Sequence, residues 1–165
     1  RGPNGQFAGH CPLFERPIMT TPTFRELTDA ECQALLDRNY VGRIAYTFKD
    51  RVGIEPIGYV SEPGRIYIRT APGNRLTTIQ HHPWVAFEVD EVEGPFDWRS
   101  VVVHGTSMIL HPEGNKYDQD AYQRAVELLR QATPQMFRED DPAPFRNVIV
   151  MIYVDTITGR AASTK

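Results

Sequence analysis

Cysteine is nearly absent: the 165 residues hold only Cys11 and Cys32. Two such residues cannot build a disulfide framework, and their spacing is unlike a paired metal or redox motif, so a reducing, cytoplasmic setting is expected. There is no basic excess either. Lys and Arg number 18 against 21 Asp and Glu, a net charge of −3, which removes the counterion-release drive behind general nucleic-acid binding. No apolar run approaches the ~20 residues of a membrane helix. Residues 1 to 20 lack the continuous apolar core of a signal peptide. With Gly2, Pro3, Gly5 and Gly9, and Met19 running into Thr20-Thr21-Pro22, they read as an arm or leader before a domain over 21–165.

What is present is ordinary for a compact domain: 41% hydrophobic and 24% charged residues, in a chain able to hide roughly 70% of its unfolded surface. Thr28 with Glu31 forms a capping-box pattern, with Leu27 and Cys32 placed as a hydrophobic staple. A helix is therefore predicted from Asp29, carrying Cys32, Leu35, Leu36 and Tyr40 on one face and ending near Asn39 before Gly42. From there the period becomes two. Ile44, Tyr46 and Phe48 alternate with Arg43, Ala45 and Thr47, and similar runs follow at 54–60, 65–70, 84–90, 98–110 and 147–155. Lys49-Asp50 with Gly53, and Glu62-Pro63-Gly64, are turn chemistries between antiparallel strands. A second long helical pattern, Ala121, Ala125, Leu128, Leu129 and Ala132, stops before Pro134. Six strands in hairpin order with inserted helices predict an antiparallel barrel or sandwich of α+β class. Glu139-Asp140-Asp141-Pro142 reads as a solvated loop.

The most informative stretch is RTAPGNRLTTI, residues 69–79. A strand ending at Thr70 passes through Ala71-Pro72-Gly73 to Asn74, an N-cap type, and residues 75–80 can form a short helix. Backbone N–H groups at a helix start, with Arg69 and Arg75 beside them, suit a phosphate; a plain turn flanked by solvated arginines accounts for the same residues. In 98–105, Ser100 and Val102 share one face while Arg99, Val101 and Val103 share the other. That pattern fits a heterocycle-binding strand or a buried barrel strand. Glu88 and Asp90 lie on one strand face, able to accept from a ligand or simply solvated. His81, His82, His104 and His111 lack metal-motif spacing, so no metal site is expected. Ser61, Ser100 and Ser107 lack a nucleophile elbow, and Cys32 belongs to an apolar helix face.

The order of motifs from about Glu26 to Pro112 resembles the pyridoxamine 5′-phosphate oxidase-related flavin-binding family, in particular its nitroimidazole-resistance-like branch. The motifs are a helix, then VGRIAY, EPIGYV, RIYIRTAPGNRL, HHPWVAFEVDE and WRSVVVHGTS, with a last strand running to Gly159-Arg160. The resemblance implies a six-stranded antiparallel split β-barrel with flanking helices, forming a homodimer that holds FMN at the subunit interface. By position it implies Thr70, Asn74 and Arg75 as phosphate ligands, with Arg69 a neighbour able to reach it. The backbone around Pro56 and Ile57 would line the isoalloxazine, and Phe87, Glu88, Ser100 and Val101 would approach the ring or ribityl chain. Two departures stand out. Arg69 replaces the histidine of drug-reducing relatives, and Asn74-Arg75-Leu76 replaces the Ser-Arg-Lys run of the true oxidases. The expected activity is an FMN-dependent oxidoreductase moving electrons between a nicotinamide cofactor and a small acceptor. A non-enzymatic flavin carrier or sensor, or a deazaflavin- or haem-binding barrel, are the alternatives.

Overall fold

The computed structural model describes residues 21–164; the expected arm over 1–20, with Met19 and Cys11, lies outside the described residues. The chain opens with β1 (Thr23–Glu26) and α1 (Asp29–Arg38). The capping box forms as read. The Thr28 hydroxyl accepts from the Glu31 N–H, and the Glu31 carboxylate accepts from the Thr28 N–H at 2.8 Å. Arg25 grips the same carboxylate and holds it down at about 2. Cys32, Leu35 and Leu36 turn inward.

The strands and helices that follow are β2 (Val41–Phe48), β3 (Arg51–Glu62), β4 (Arg65–Thr70), α2 (Asn74–His81), β5 (Trp84–Gly94), β6 (Asp97–Leu110), α3 (Lys116–Ala132) and β7 (Val148–Ser163). All neighbours are antiparallel in the order β1-β7-β4-β3-β2-β5-β6. A further β6–β7 pairing closes six strands into a barrel. The strand count is thus seven rather than six, because β1 adds to the end of β7. TFRE gave no sign of it: four residues, all exposed, have no alternation to read. Between β3 and β4 the chain reverses at Gly64, whose φ of 81° suits glycine.

β3 changes partner along its length, and this opens the barrel. Residues 51–58 pair with β2, whereas Tyr59–Glu62 pair with β4. The first part of β3 and the end of β4 are therefore split apart, and α2 enters after Thr70, burying Leu76 and Ile79 in the main core. A second cluster lies outside the barrel. There Ala121, Ala125 and Leu129 of α3 cover Tyr67 of β4, Leu110 of β6, and Ile149 and Met151 of β7. Most of β4 and residues 149–152 of β7 are therefore buried on both faces. Among the described residues no helix is long and apolar enough to cross a membrane.

Candidate functional site

The split gathers the corner singled out in the sequence. Gly73 occupies the cap of α2 with no side-chain acceptor for the first-turn N–H groups. Asn74 is therefore the first helical residue, exposed, and not the N-cap it resembles. The cap shifted because the extended backbone at Gly73 already lets the helix begin one residue earlier.

Arg75 reaches back across the opening. Its Nη2 donates to Thr70 Oγ1 at 2.7 Å and its Nη1 to Glu55 Oε2 at 2.6 Å. Its Nε is buried without a hydrogen-bond partner, an orphan that folded proteins seldom leave. The other Glu55 oxygen accepts from the Tyr46 hydroxyl, and that bond, with some burial, raises the phenol above its usual range. A cleft of about 590 Å³ opens beside these groups, lined by Tyr46, Phe48, Arg51, Glu55, Asn74 and Arg75 among others. The corner can take an anion: it has a guanidinium with an unused donor, a hydroxyl and an uncapped helix start.

Arg69 belongs elsewhere, and its expected reach to this corner is corrected. Strand alternation puts it on the opposite side of β4 from Thr70. Only 6% exposed, it pairs with both oxygens of Asp141 at 2.5 and 3.1 Å. It also donates to the Arg146 and Ala143 carbonyls and lies 4.5 Å from the Phe137 ring centre. Asp141 is correspondingly no part of a solvated loop. Its side chain is 2% exposed and also accepts from the N–H groups of Phe137 and Ala143. Arg69 first, then these N–H bonds, hold the carboxyl down at about 2 against desolvation. The pair fastens the α3–β7 connection to β4 beside a second cavity of about 970 Å³, lined by Tyr40, Gly58, Arg69, Leu128, Met136 and Arg146 among others.

Such a depressed pKa stabilises the fold fully above the ordinary carboxyl value and loses that stabilisation as pH falls through about 2. Asp141→Asn is therefore expected to lower the melting temperature by several degrees at neutral pH, with the gap to the parent closing as pH drops from about 4 toward 2. Calorimetry at three pH values checks this; an unchanged melting temperature at pH 7 would remove the role given to the pair.

The remaining candidates divide by face. Register places Pro56, Arg43, Glu88 and Val102 in one row across β3, β2, β5 and β6, with Asp90 opposite Ser100 in the next outward row. Arg43 bonds Glu88 at 2.9 Å and also Asp90. Partial burial raises the Glu88 carboxyl, with Arg43 opposing. Pro56, Glu88 and Ser100 thus present side chains outward. Ile57, Phe87 and Val101 do not: all three are buried in the barrel core, and only their main chain can meet a ligand on the outer face. Alternation sends the side chains next to Glu88 and Ser100 the other way, so an approach of Phe87 and Val101 to a ring is one of their main-chain atoms. Glu55 and Pro56, adjacent on β3 and facing opposite sides, link the corner to the outward row.

Glu55 and Tyr46 were missed in the sequence. The signal was a polarity inversion: Val52 and Ile54 point outward, 75% and 65% exposed, while the inward positions Gly53 and Glu55 face Tyr46 and buried Ile44. Ser61 and Ser107 are occupied by Asp37 and by the Pro83 carbonyl. Cys32 is buried, which raises its thiol pKa. Among the described residues no three His, Cys, Asp or Glu side chains gather as a metal site requires.

Comparison with known proteins agrees with this architecture. An uncharacterized protein of Rhizobium meliloti (strain 1021) is 30% identical over 81 residues, 49% of this chain and 54% of the relative, so the match spans about half of that relative's length. The crystal structure of an FAD-binding protein from Mesorhizobium loti superposes with a TM-score of 0.67 at 26% identity, covering 85% of this chain and 98% of the other. A candidate 5-nitroimidazole antibiotic resistance protein from Bacteroides thetaiotaomicron shares the fold at 17% identity and a TM-score of 0.65, covering 86% of this chain and 89% of the other. The family model described as pyridoxamine 5′-phosphate oxidase matches residues 28–161. That span runs from the cap of α1 nearly to the end of β7, and it includes the split, the Arg75 corner and the outward row, so the chain belongs to the pyridoxamine 5′-phosphate oxidase family.

Proposed function

We propose that this protein binds FMN by its phosphate at the split corner and works as a flavin-dependent oxidoreductase. The observation that supports it best is the Arg75 guanidinium, bridged to Thr70 with its buried Nε unpartnered. Thr70, Arg75 and the first-turn N–H groups from Asn74 onward would hold the phosphate. The β3 main chain at Pro56 and Ile57, with the outward Glu88 and Ser100, would flank the ring. A bound flavin supplies hydride and single-electron chemistry, and the protein supplies orientation and electrostatics. The Mesorhizobium relative's FAD makes the dinucleotide the natural competitor in any binding test.

Titration with FMN, FAD and riboflavin is the direct check, followed by anaerobic addition of NADH or NADPH. FMN is expected to bind tighter than riboflavin, and a nicotinamide donor to bleach its absorbance. Equal affinity for FMN and riboflavin would sink the phosphate assignment. Binding without bleaching would leave a flavin carrier or sensor, and a Soret band or deazaflavin spectrum in the purified protein would replace flavin altogether. Reduction of nitroimidazoles is expected to be slow, because Arg69 is fixed by Asp141 where drug-reducing relatives have a histidine suited to proton transfer.

The same reading makes the protein a homodimer. Val52, Ile54 and Trp84 stand 75%, 65% and 69% exposed around the outward row, an apolar surface that a second copy would cover together with the ring. A two-fold contact burying more than about 1,200 Å² in total is expected. Light scattering that returned a flavin-loaded monomer would contradict it.

A further inference from the structure

Resting on the phosphate reading of the Arg75 corner, we infer that Glu55 is a built-in competitor for the ligand's phosphate, an internal counter-ion that sets the affinity of the site for phosphate-bearing ligands. Glu55 stands at an inward position of β3, directly opposite buried Ile44, where the neighbouring inward residues Ile57 and Tyr59 are core. A carboxylate there has no packing purpose. Its two oxygens are held by Tyr46 Oη and by Arg75 Nη1, so one side of the guanidinium already carries an anion.

The two partners differ in freedom. The Glu55 side chain is 43% exposed toward the cleft and that of Arg75 only 20%, and Arg75 keeps its second tie to Thr70. The carboxylate can therefore withdraw into water while the guanidinium stays in place. A phosphate monoester arriving at Arg75 meets Glu55 within a few ångströms. Two like charges that close, in surroundings intermediate between water and protein, repel by enough to cost several-fold to tenfold in affinity. Glu55 is bonded by Tyr46 from β2 and Arg75 from α2, and the other charged and polar side chains lining the cleft with it are Arg51 from β3 and Asn74 and Thr78 from α2. Of these only Arg75 and Arg51 carry charge, so Glu55 is the one anion at this corner among the described residues that line the cleft.

Glu55→Gln separates charge from shape, since the amide oxygen still accepts from Arg75 or Tyr46. Dissociation constants for FMN and riboflavin, from flavin fluorescence quenching, are compared in the parent protein, E55Q and Tyr46→Phe. E55Q is expected to bind FMN roughly five- to tenfold more tightly with riboflavin unchanged. Y46F, which frees one Glu55 oxygen while keeping the charge, is expected to tighten FMN by a smaller factor. Unchanged or weaker FMN binding in E55Q would overturn the inference and make Glu55 a residue that merely positions Arg75. Failure of the parent reading looks different: the unmodified protein would then not distinguish FMN from riboflavin at all.

Discussion

Phe87→Ala is expected to reduce the unfolding free energy by about 3–5 kcal/mol, enough to leave much of the protein unfolded in mild urea. Phe87 is completely buried. Its ring meets Tyr59 edge-on at 5.0 Å between centres, and Tyr59 in turn donates to the Leu36 carbonyl, tying β5 through β3 to α1. The ring also fills the space beside Gly42, where an added Cβ would stand 2.3 Å from its Cζ. Truncation thus leaves a cavity at the meeting point of three elements, which the stiff barrel cannot collapse. Urea unfolding followed by circular dichroism should show the midpoint moving strongly at nearly constant slope. If the variant kept its stability and lost only flavin binding, Phe87 would be a ligand contact after all.

Arg75→Ala should have the opposite signature. Loss of a charge-assisted hydrogen bond to the phosphate is expected to weaken FMN by about 1.5–3 kcal/mol, roughly ten- to hundredfold in dissociation constant, with riboflavin little affected. The upper end is favoured because the substitution removes the cation and leaves Glu55 in place, so an attraction gives way to an uncompensated like charge. Thermal stability should change little, since a partly exposed ion pair contributes modestly. Fluorescence titration with both ligands checks the first outcome and a melting curve the second. The same loss for FMN and riboflavin would show that the guanidinium acts on the fold or the ring and not on the phosphate.

The two variants mark where sequence reading succeeds. Thr28 and Glu31 announced the start of α1, Lys49-Asp50 and Pro63-Gly64 the turns, and alternation from 43 onward six of the seven strands. Each of these rests on groups a few residues apart. The far half of β7 lay beyond the strand read from the residues, which stopped at 155, and only the family resemblance carried it on to Gly159-Arg160; the rest is strand because β6 and β1 hold it on either side. Pro56, Glu88 and Ser100 turn their side chains outward, while those of Phe87 and Val101, one residue away from Glu88 and Ser100, lie in the core.

By itself, then, the sequence determined the cap of α1, the turns, the strand periods and the strand-to-helix corner after Thr70, because backbone propensity and capping bonds act over a handful of neighbouring residues. Only the closed barrel decided that Arg69 would lock onto Asp141, 72 residues away, and that Glu55 would meet Arg75 across the gap left when β3 exchanges β2 for β4. Those partnerships depend on which side chains the closed sheet turns to the same side of a wall, and no local rule carries that information from one strand to another.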